Sequence, residues 1–427
     1  TPADTATGWG GIRFDQTPCA DSSILDHCLL EYAKSFGDGG GLYLRDFSFL
    51  RVSSSGIRRC RADDGGGMYL SSASPVLTSN TLNGNRAGIG GGMYLIDSSS
   101  PLLINNNLIG NQADLWGGGM YLFNASSPTL TNNNLIGNLA ESGGGMCLES
   151  SFPMLTNNTL SGNRAESGGG MTLHSSSPTL TNNILNGNQA TRYAGGILLD
   201  GHSSPVLTNN TLSGNQALIH GGGMYLYYSS PTLINNILSG NQADYYGGVM
   251  FLANSSPVLI NNTMNGNQAD LGGALYLYDN SDPVLTNCIL WGNTAVSAGP
   301  EVYLHDDLCN PEFYYCNVAG GSAAFSGSGA GSSFSGAYTN NLDTDPRFAD
   351  PVNGDFRLLV GSPCVEAGTP DTTGLGLPAT DADGNPRIRA CVIDMGPYEN
   401  QDGSGGPIAR DTTWASDTVY VYCDVYI

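Results

Sequence analysis

Carboxylates recur at one position of a repeated sequence, directly after a Gly-Asn-x-Ala step. They are Asp114, Glu141, Glu166, Asp244 and Asp270, and Thr191 and Leu218 interrupt the series. If the repeats stack, carboxylates of neighbouring copies can share a calcium ion through oxygen ligands. We favour the alternative interpretation, a solvated acidic edge that discourages lateral contacts, since exposed like charges usually behave in this way.

A second candidate for calcium is the segment Asp-Ala-Asp-Gly-Asn at residues 381–385. Asp381, Asp383 and Asn385 offer oxygen ligands at alternate positions, as in a short calcium loop. The bidentate glutamate that completes an EF-hand does not follow it. We therefore favour a turn here, with these three residues as the candidate calcium ligands and no other cofactor expected.

Catalysis by a polysaccharide lyase or hydrolase needs an acid pair, or a basic residue beside carboxylates, on one face. Residues 65–300 hold three arginines, Arg86, Arg164 and Arg192, and no lysine. Each arginine is a single substitution in a variable turn. The sequence therefore predicts no catalytic residue in this region.

Aromatic side chains form another series, at the second position of a recurring Met-Tyr-Leu segment. The members are Tyr69, Tyr94, Tyr121, Tyr225, Phe251, Tyr276 and Tyr303, and Cys147, Thr172 and Leu198 interrupt them. An outward-facing row of rings can stack on sugars or be covered by a partner. Ordinary packing of good β-formers on a solvent face explains the row equally well.

The repeat that positions these residues reads GGGMYL, a proline turn, LTNN and a GN-x-A step. Its first strand recurs every 25 to 27 residues, from Met68 to Leu275. Glycine, proline and asparagine favour tight turns, and Met and Leu of Met-Tyr-Leu share one face, as in a strand. Stacked units share a continuous apolar core that one unit cannot form. The pattern predicts an all-β parallel solenoid of about eleven coils, roughly 50 Å long.

Paired asparagines recur at one corner of the repeat, as in Asn132-Asn133, Asn182-Asn183 and Asn235-Asn236. Stacked amides can hydrogen-bond along the axis as ladders, and asparagine tolerates the left-handed conformation of a corner. We expect these residues to hold the fold together.

These repeats are similar to those of polymorphic outer-membrane proteins and of secreted bacterial right-handed β-helix proteins. Residues 9–14, 23–28 and 31–33 look like an early coil of that family, and residues 343–348, 354–358, 362–368, 383–387 and 394–399 look like its C-terminal cap. The resemblance covers nearly the whole chain. It implies a right-handed β-helix at the cell exterior, and it does not imply one activity.

The chain divides by pattern into six segments. Opening coils (1–64) precede regular repeats (65–300), followed by degenerate coils with a Gly/Ser-rich loop (301–340), the cap (341–400), a linker (401–407) and a β-prone tail (408–427). Within the tail, Asp-Thr-Thr-Trp at residues 411–414 precedes a Val/Tyr strand, a signature that in the resembled family opens the β-helix. We predict that the tail is donated to the first coil of the next molecule. The residues expected at that contact are Trp414, Val419, Tyr420, Val421, Tyr422, Val425, Tyr426 and Ile427. Alternatively, residue 411 opens the next module of a longer protein.

Cysteines and sequons point to the cell exterior. Ten cysteines without a CxxC pair indicate disulfides and an oxidising compartment. Cys288 and Cys316 occupy equivalent positions of successive coils, and Cys364 with Cys391 is a second plausible pair. Asn-x-Ser/Thr sequons stand at Asn124, Asn157, Asn209, Asn254 and Asn261, although a repeat rich in these residues produces some by chance.

The net charge of the chain disfavours some classes of binding partner. A net charge of −22 disfavours nucleic acid and anionic membranes, and no apolar run is long enough to span a bilayer. The sequence thus predicts a non-enzymatic extracellular structural or adhesive protein, assembled head to tail with copies of itself. The alternative is a β-helix that binds or degrades carbohydrate, with glycans as partners.

Overall fold

Three long parallel sheets, joined at their corners, form one continuous solenoid in the computed structural model, which describes residues 9–17, 22–389 and 392–401. Each coil contributes one strand to each sheet, and neighbouring strands within a sheet come from successive coils. The predicted parallel β-solenoid is confirmed, with twelve coils where about eleven were expected.

The strands are grouped here by sheet. Sheet 1 comprises Ile12–Asp15, Leu42–Arg45, Met68–Ser71, Met93–Ile96, Met120–Phe123, Met146–Glu149, Met171–His174, Ile197–Asp200, Met224–Tyr227, Met250–Ala253, Leu275–Tyr278 and Val302–Leu304. Sheet 2 comprises Ser23–Asp26, Leu50–Ser53, Val76–Thr78, Leu102–Ile104, Thr129–Thr131, Met154–Thr156, Thr179–Thr181, Val206–Thr208, Thr232–Ile234, Val258–Ile260, Val284–Thr286, Glu312–Tyr314 and Tyr338–Thr339. Sheet 3 comprises Leu29–Glu31, Gly56–Arg58, Thr81–Asn83, Asn107–Ile109, Asn134–Ile136, Thr159–Ser161, Ile184–Asn186, Thr211–Ser213, Ile237–Ser239, Thr263–Asn265, Ile289–Trp291 and Asn317–Val318.

A fourth, shorter sheet follows the Gly-Asn step, where the sequence indicated only a variable turn. Sheet 4 has two pieces, Arg86–Ile89 with Gln112–Trp116, and Arg164–Ser167, Gln189–Tyr193, Gln216–Ala217, Gln242–Ala243, Gln268–Leu271 and Thr294–Ala298. The remaining elements are the 3₁₀ turns Ser322–Ala324, Gly331–Ser333 and Pro351–Asn353 and an antiparallel hairpin, Phe348–Asp350 with Asp355–Leu358.

Apolar rows fill the interior because alternate strand residues point inward. In sheet 1 these are the first and third residues, such as Met68 and Leu70, and in sheets 2 and 3 the middle leucine, such as Leu77 and Leu82. Each row continues into the next coil without a register shift. One continuous core therefore runs along the axis.

Asparagine ladders occupy the two corners that flank sheet 3. In the ladder after the strands of sheet 3, the side-chain amide of Asn138 donates to Oδ1 of Asn163 in the next coil at 3.0 Å and to the carbonyl of Leu108 in the preceding coil at 2.9 Å. Its backbone N–H donates to the same Oδ1 at 2.9 Å. Each amide is buried with donors and acceptor satisfied, so the ladder costs no unpaired polar group.

The paired asparagines divide into an inner and an outer member. The second of each pair, such as Asn133 and Asn183, is buried in the ladder between sheets 2 and 3, as predicted. The first, such as Asn132 and Asn182, makes the corner with φ of 57° and 56°. Asparagine tolerates this left-handed conformation better than most residues, which explains the doublet.

The Gly/Ser-rich loop closes the C-terminal end of the core. Phe325 is buried against Phe313, the last large apolar side chain inside the solenoid, and Phe334 packs on Phe325. The segment predicted as a degenerate coil and loop thus covers the last core layer.

The cap lies along the side of the last coils. Nδ2 of Asn261 donates to the carbonyls of Asp394 and Gly396 at 3.0 Å, and Oδ1 of Asn287 accepts from the N–H of Thr369 at 2.7 Å. Beneath these contacts an apolar cluster joins Ile237 and Ile289 of sheet 3 to cap residues, including Phe348, Phe356 and Met395. Outward-facing residues that would otherwise meet water are therefore buried.

Replacing one asparagine of the ladder that follows sheet 3 tests the role of that ladder. We expect Asn163→Ala to destabilise the fold by about 3 kcal/mol, because it removes the acceptor of the side-chain amide and backbone N–H of Asn138, and the side-chain donor to Oδ1 of Asn188 and to the carbonyl of Leu135. The measurement is the urea midpoint, with amide exchange to localise the loss. The control is Asn186→Ala, at an exposed position of sheet 3, which should change stability by less than about 0.5 kcal/mol. Equal effects of the two substitutions would contradict a ladder role.

Candidate functional site

The aromatic row lies at the second position of the sheet 1 strands, in register from coil to coil. Ring centroids are 5.1 Å apart between Tyr225 and Phe251, and 5.3 Å apart between Phe251 and Tyr276. The row points away from the core, yet Tyr94 is 7% exposed and Tyr121 only 2%. The expectation that these rings face solvent is therefore wrong for most of the row.

Residues from the variable stretch cover the aromatic row. Trp116, Tyr193, His220 and Tyr246 each stand just before the next glycines and lie on the row, His220 with its ring centroid 4.6 Å from that of Phe251. Burial raises the pKa of Tyr225 to about 12 and lowers that of His220 to about 4. The packing interpretation is thus the better one for the rings, and His220 is neutral near pH 7.

An exposed group of aromatic residues, which the sequence reasoning missed, lies two or three positions after members of the aromatic row. This tyrosine edge consists of Tyr227, Tyr228 and Tyr278, which are 45%, 43% and 41% exposed. Ala253, which is buried, lies between Tyr227 and Tyr278 in register, so the two rings flank a notch. The ring of His305 lies 4.8 Å from that of Tyr278. A tyrosine in the strand's last position was the available signal.

The acidic row is exposed at Asp114, Glu141 and Asp244 and half-buried at Glu166 and Asp270, and arginines of neighbouring coils neutralise part of it. Asp114 pairs with Arg86 at 2.9 Å, and Glu166 pairs with Arg192 at the same distance. Among the described residues, no three His, Cys, Asp or Glu side chains converge as a metal site would require. Exposed pairs of this kind contribute little stability. For this row the solvated acidic edge stays our prediction, with shared calcium as the alternative.

The candidate calcium loop of the cap forms a turn. Oδ1 of Asp381 accepts the N–H groups of Asp383 and Asn385 at 3.0 and 2.7 Å, and its Oδ2 accepts that of Glu399 at 3.0 Å. The loop faces a cleft of about 410 Å³ against the solenoid, lined also by Asn182. Asp381 therefore serves the turn that we favoured, and calcium at Asp381, Asp383 and Asn385 stays a prediction.

Buried charged side chains stabilise the interior of the cap. Arg387 and Glu399 form a buried ion pair at 3.3 Å, and the Arg387 guanidinium also donates to the carbonyls of Gly396 and Pro397. Burial raises the pKa of Asp394 to about 6 and also raises that of Glu399, although Arg387 acts in the opposite direction on both. Breaking such a pair would leave an uncompensated buried charge.

The predicted disulfide partners are placed as follows. Cys288 and Cys316 are free thiols at adjacent positions of the ladder between sheets 2 and 3. The N–H of Cys288 donates to Sγ of Cys316 at 3.4 Å. Cys364 is a buried thiol that accepts from the side chain of Asn317, and Cys391 lies outside the described residues. The register of Cys288 with Cys316 is as expected, and both disulfides stay predictions.

The sequon asparagines differ in accessibility. Asn124 and Asn157 are exposed, whereas Asn209 and Asn254 are half-buried. Asn261 is fully buried, and its Nδ2 is engaged by the cap. Of the five predicted sites, Asn261 therefore presents no acceptor nitrogen in the folded chain, and Asn124 and Asn157 fit glycosylation best.

The first coil leaves the N-terminal core layer partly open. Ile12, Phe14 and Leu25 are half-buried, whereas their counterparts in the next coil, such as Leu42 and Leu44, are fully buried. The strands of this coil stand at the ends of their sheets. The tail and all its predicted contact residues, from Trp414 to Ile427, lie outside the described residues.

Comparison with known proteins assigns the chain to a family. The model of the right-handed β-helix region matches residues 91–263 and 175–342, which together span more than half of the chain. The protein therefore belongs to the right-handed β-helix family. Within the described residues, no helix has the length and apolar character of a membrane span.

Solved structures similar to the chain include two proteins of different kinds. Pectate lyase Pel9A is 12% identical over 88% of this chain and 87% of that chain, with a TM-score of 0.41. A TibC-catalysed hyper-glycosylated TibA fragment is 15% identical over 70% of this chain and 100% of that chain, with a TM-score of 0.18. Both are too distant to bear on function. None of the curated proteins compared with the chain matches it.

A buried carboxylate ends the asparagine ladder that follows sheet 3. Glu301 is 3% exposed, and its carboxylate accepts from the side-chain amide of Asn293 at 2.5 Å and from the Asn293 N–H at 3.3 Å. Burial raises the pKa of Glu301 to about 7. The folded state thus holds this proton more tightly than the unfolded state does.

Stability should therefore fall as pH rises from about 4.5 through about 7, and Glu301→Gln should remove that part of the loss. We expect the substitution to stabilise the fold by roughly 2 kcal/mol at pH 8 and by little at pH 4.5, since glutamine keeps an acceptor without charge. Urea unfolding across this pH range measures it. Glu141→Gln, at an exposed position of the acidic row, is the control. A pH-independent effect of Glu301→Gln would argue against a buried titration.

Proposed function

We propose that this protein is a non-enzymatic extracellular rod, a structural or adhesive subunit whose copies join head to tail. The observation that carries the proposal is the open first coil, where half-buried Ile12, Phe14 and Leu25 stand beside three terminal strands. Unpaired strand edges invite the addition of another strand. The resemblance to secreted and outer-membrane β-helix proteins supports the extracellular location, as does the cysteine content.

The two ends of the solenoid differ, which supports a polar assembly. The C-terminal end of the core is covered by Phe325 and Phe334, whereas the first coil has no comparable cover among the described residues. The tail is the donor in this proposal, with Trp414 against the open apolar layer and the Val/Tyr strand against one sheet edge. Contact between unlike ends does not close on itself, so the expected product is a filament.

Tail-dependent filaments are the expected outcome of electron microscopy on the purified chain. We expect long filaments from the full chain and single rods, roughly 55 Å long at twelve coils, after deletion of residues 408–427. A synthetic peptide of residues 411–427 should shorten the filaments by occupying free first coils. A scrambled peptide of the same composition is the control.

Single rods from the full chain would contradict head-to-tail assembly. An extended chain of twenty residues spans about 65 Å, enough for the tail to reach the first coil of its own molecule. That arrangement would also give single rods, and the peptide would then leave the rod length unchanged.

We infer a second candidate function, carbohydrate binding, from the tyrosine edge. Exposed aromatic faces beside hydrogen-bonding groups suit stacking on sugar rings. Tyr227 and Tyr278 stand two coils apart, about 10 Å, and Asn254 and Asp279 beside them are joined by a 2.9 Å hydrogen bond. Polar groups that can bind a polyol therefore directly follow Ala253 and Tyr278 in the chain.

Substitution of the tyrosine edge tests this candidate. If the rod binds an oligosaccharide on a glycan array, we expect Tyr227→Ala or Tyr278→Ala to weaken binding about tenfold, because each removes one stacking face. Tyr245→Ala is the control, since Tyr245 is 55% exposed and lies outside the edge. Isothermal titration provides the measurement. Loss of binding on Tyr245→Ala alone would place the site elsewhere.

A further inference from the structure

One row of residues on the outer face of sheet 2 carries no charge over nine successive coils. It consists of the outward residue that follows each turn proline, and opposite charges bound it, Arg51 at one end and Glu312 at the other. Each residue pairs in register with its counterpart in the next coil, so the row is straight. We call it the lateral row. In a chain of net charge −22, such a strip permits close approach of another copy.

The residue types of the lateral row are symmetric about its middle. Thr179 stands five coils from Arg51 and five coils from Glu312. Next to the charged ends come Val76 and Val284, equally far from Thr179. From either end, the first uncharged residue of the row is therefore valine, and the residues further inward belong to the same classes on both sides.

The inner positions continue this symmetry. Leu102 corresponds to Val258, Thr129 to Thr232, and Met154 to Val206. Apolar residues thus match apolar residues, and threonine matches threonine. Leu102, Met154, Val206 and Val258 are exposed, between 38% and 57%. An exposed apolar strip of this length is a candidate protein contact.

We propose that two copies of this protein associate side by side in opposite directions through the lateral row, about a two-fold axis that lies between the copies over Thr179, parallel to the strand Thr179–Thr181. A half-turn about that axis places each residue of the row opposite its symmetric counterpart, and Thr179 opposite itself. Arg51 of each copy then meets Glu312 of the other, so both ends of the contact are ion-paired. Interfaces of this isologous kind close after two copies.

The area of the proposed contact indicates how strong the association is. The row spans ten coil intervals, about 48 Å, and a strip about 10 Å wide gives roughly 500 Å² per copy. The total of about 1,000 Å² is at the low end for specific association, so the pair should be weak and concentration-dependent. Ile234 and Ile260, the third residues of the strands that begin with Thr232 and Val258, are buried, which restricts the contact on those coils to the row itself.

Cysteine placement with a short bis-maleimide tests the axis. Thr179→Cys should crosslink to itself, whereas Thr129→Cys and Thr232→Cys should crosslink when mixed, at least fivefold more than either alone. The parent chain gives the background from its native thiols, and Ile184→Cys, exposed on sheet 3 of the same coil, is the matched control. Thr179→Cys crosslinking no better than Ile184→Cys would overturn the proposal, as would equal yields from the single and mixed variants.

Charge reversal provides a second, independent readout on the full chain. Arg51→Glu or Glu312→Arg should weaken pairing about tenfold, because each turns two attractive contacts into repulsions, and the double variant should restore it. The rod cross-section from small-angle scattering reports pairing whether or not rods also join end to end. Failure of head-to-tail assembly therefore leaves this result intact. A double variant that pairs no better than either single variant would overturn the predicted direction of pairing.

Discussion

The fold depends on the buried asparagine side chain that bonds to the coils on both sides of it. Asn138, for example, donates to Leu108 in one neighbouring coil and to Asn163 in the other. Since the amide is sealed from water, a coil that slipped by one residue would bury unpaired donors and acceptors along the whole stack. The two ladders are accordingly five residues apart in every regular coil, as from 80 to 85 and from 106 to 111. The changes in coil length from 25 to 27 residues fall at the other two corners.

This constraint explains which features the sequence could predict. The repeat, the inward Met and Leu rows and the stacking of asparagines follow from alternation and spacing, and all are present. The same alternation places Tyr94 and Tyr121 on the outer side of sheet 1, which is correct, but it does not say whether anything lies above them. Trp116 and Tyr246 come from the variable stretch, so their position over the row depends on sheet 4, which has no strong signal of its own. The position of the cap was unpredictable for another reason, since Asn261 and Gly396 are 135 residues apart.

Burial of the aromatic row changes where the rod can act. With side chains of the variable stretch covering the aromatic row of sheet 1 and the cap covering part of sheet 3, the surfaces left free include the tyrosine edge, the outer face of sheet 2 and the open first coil. Each arises where the repeat departs from its own pattern: a tyrosine in the last strand position, an uncharged run in an acidic chain, or a coil at the end of the stack. The regular positions hold the structure, and the irregular ones are available for function.

The two contacts proposed here differ in symmetry, and their combination defines a distinct assembly. The axial contact joins unlike ends and gives every rod in a filament the same direction. The lateral contact relates two rods by a half-turn and reverses that direction. Two filaments joined through the lateral row would therefore run antiparallel, with first coils at both ends of the ribbon. Because the axial contact involves the first coil and the lateral row begins at Arg51, in the second coil, neither contact needs surface that the other uses.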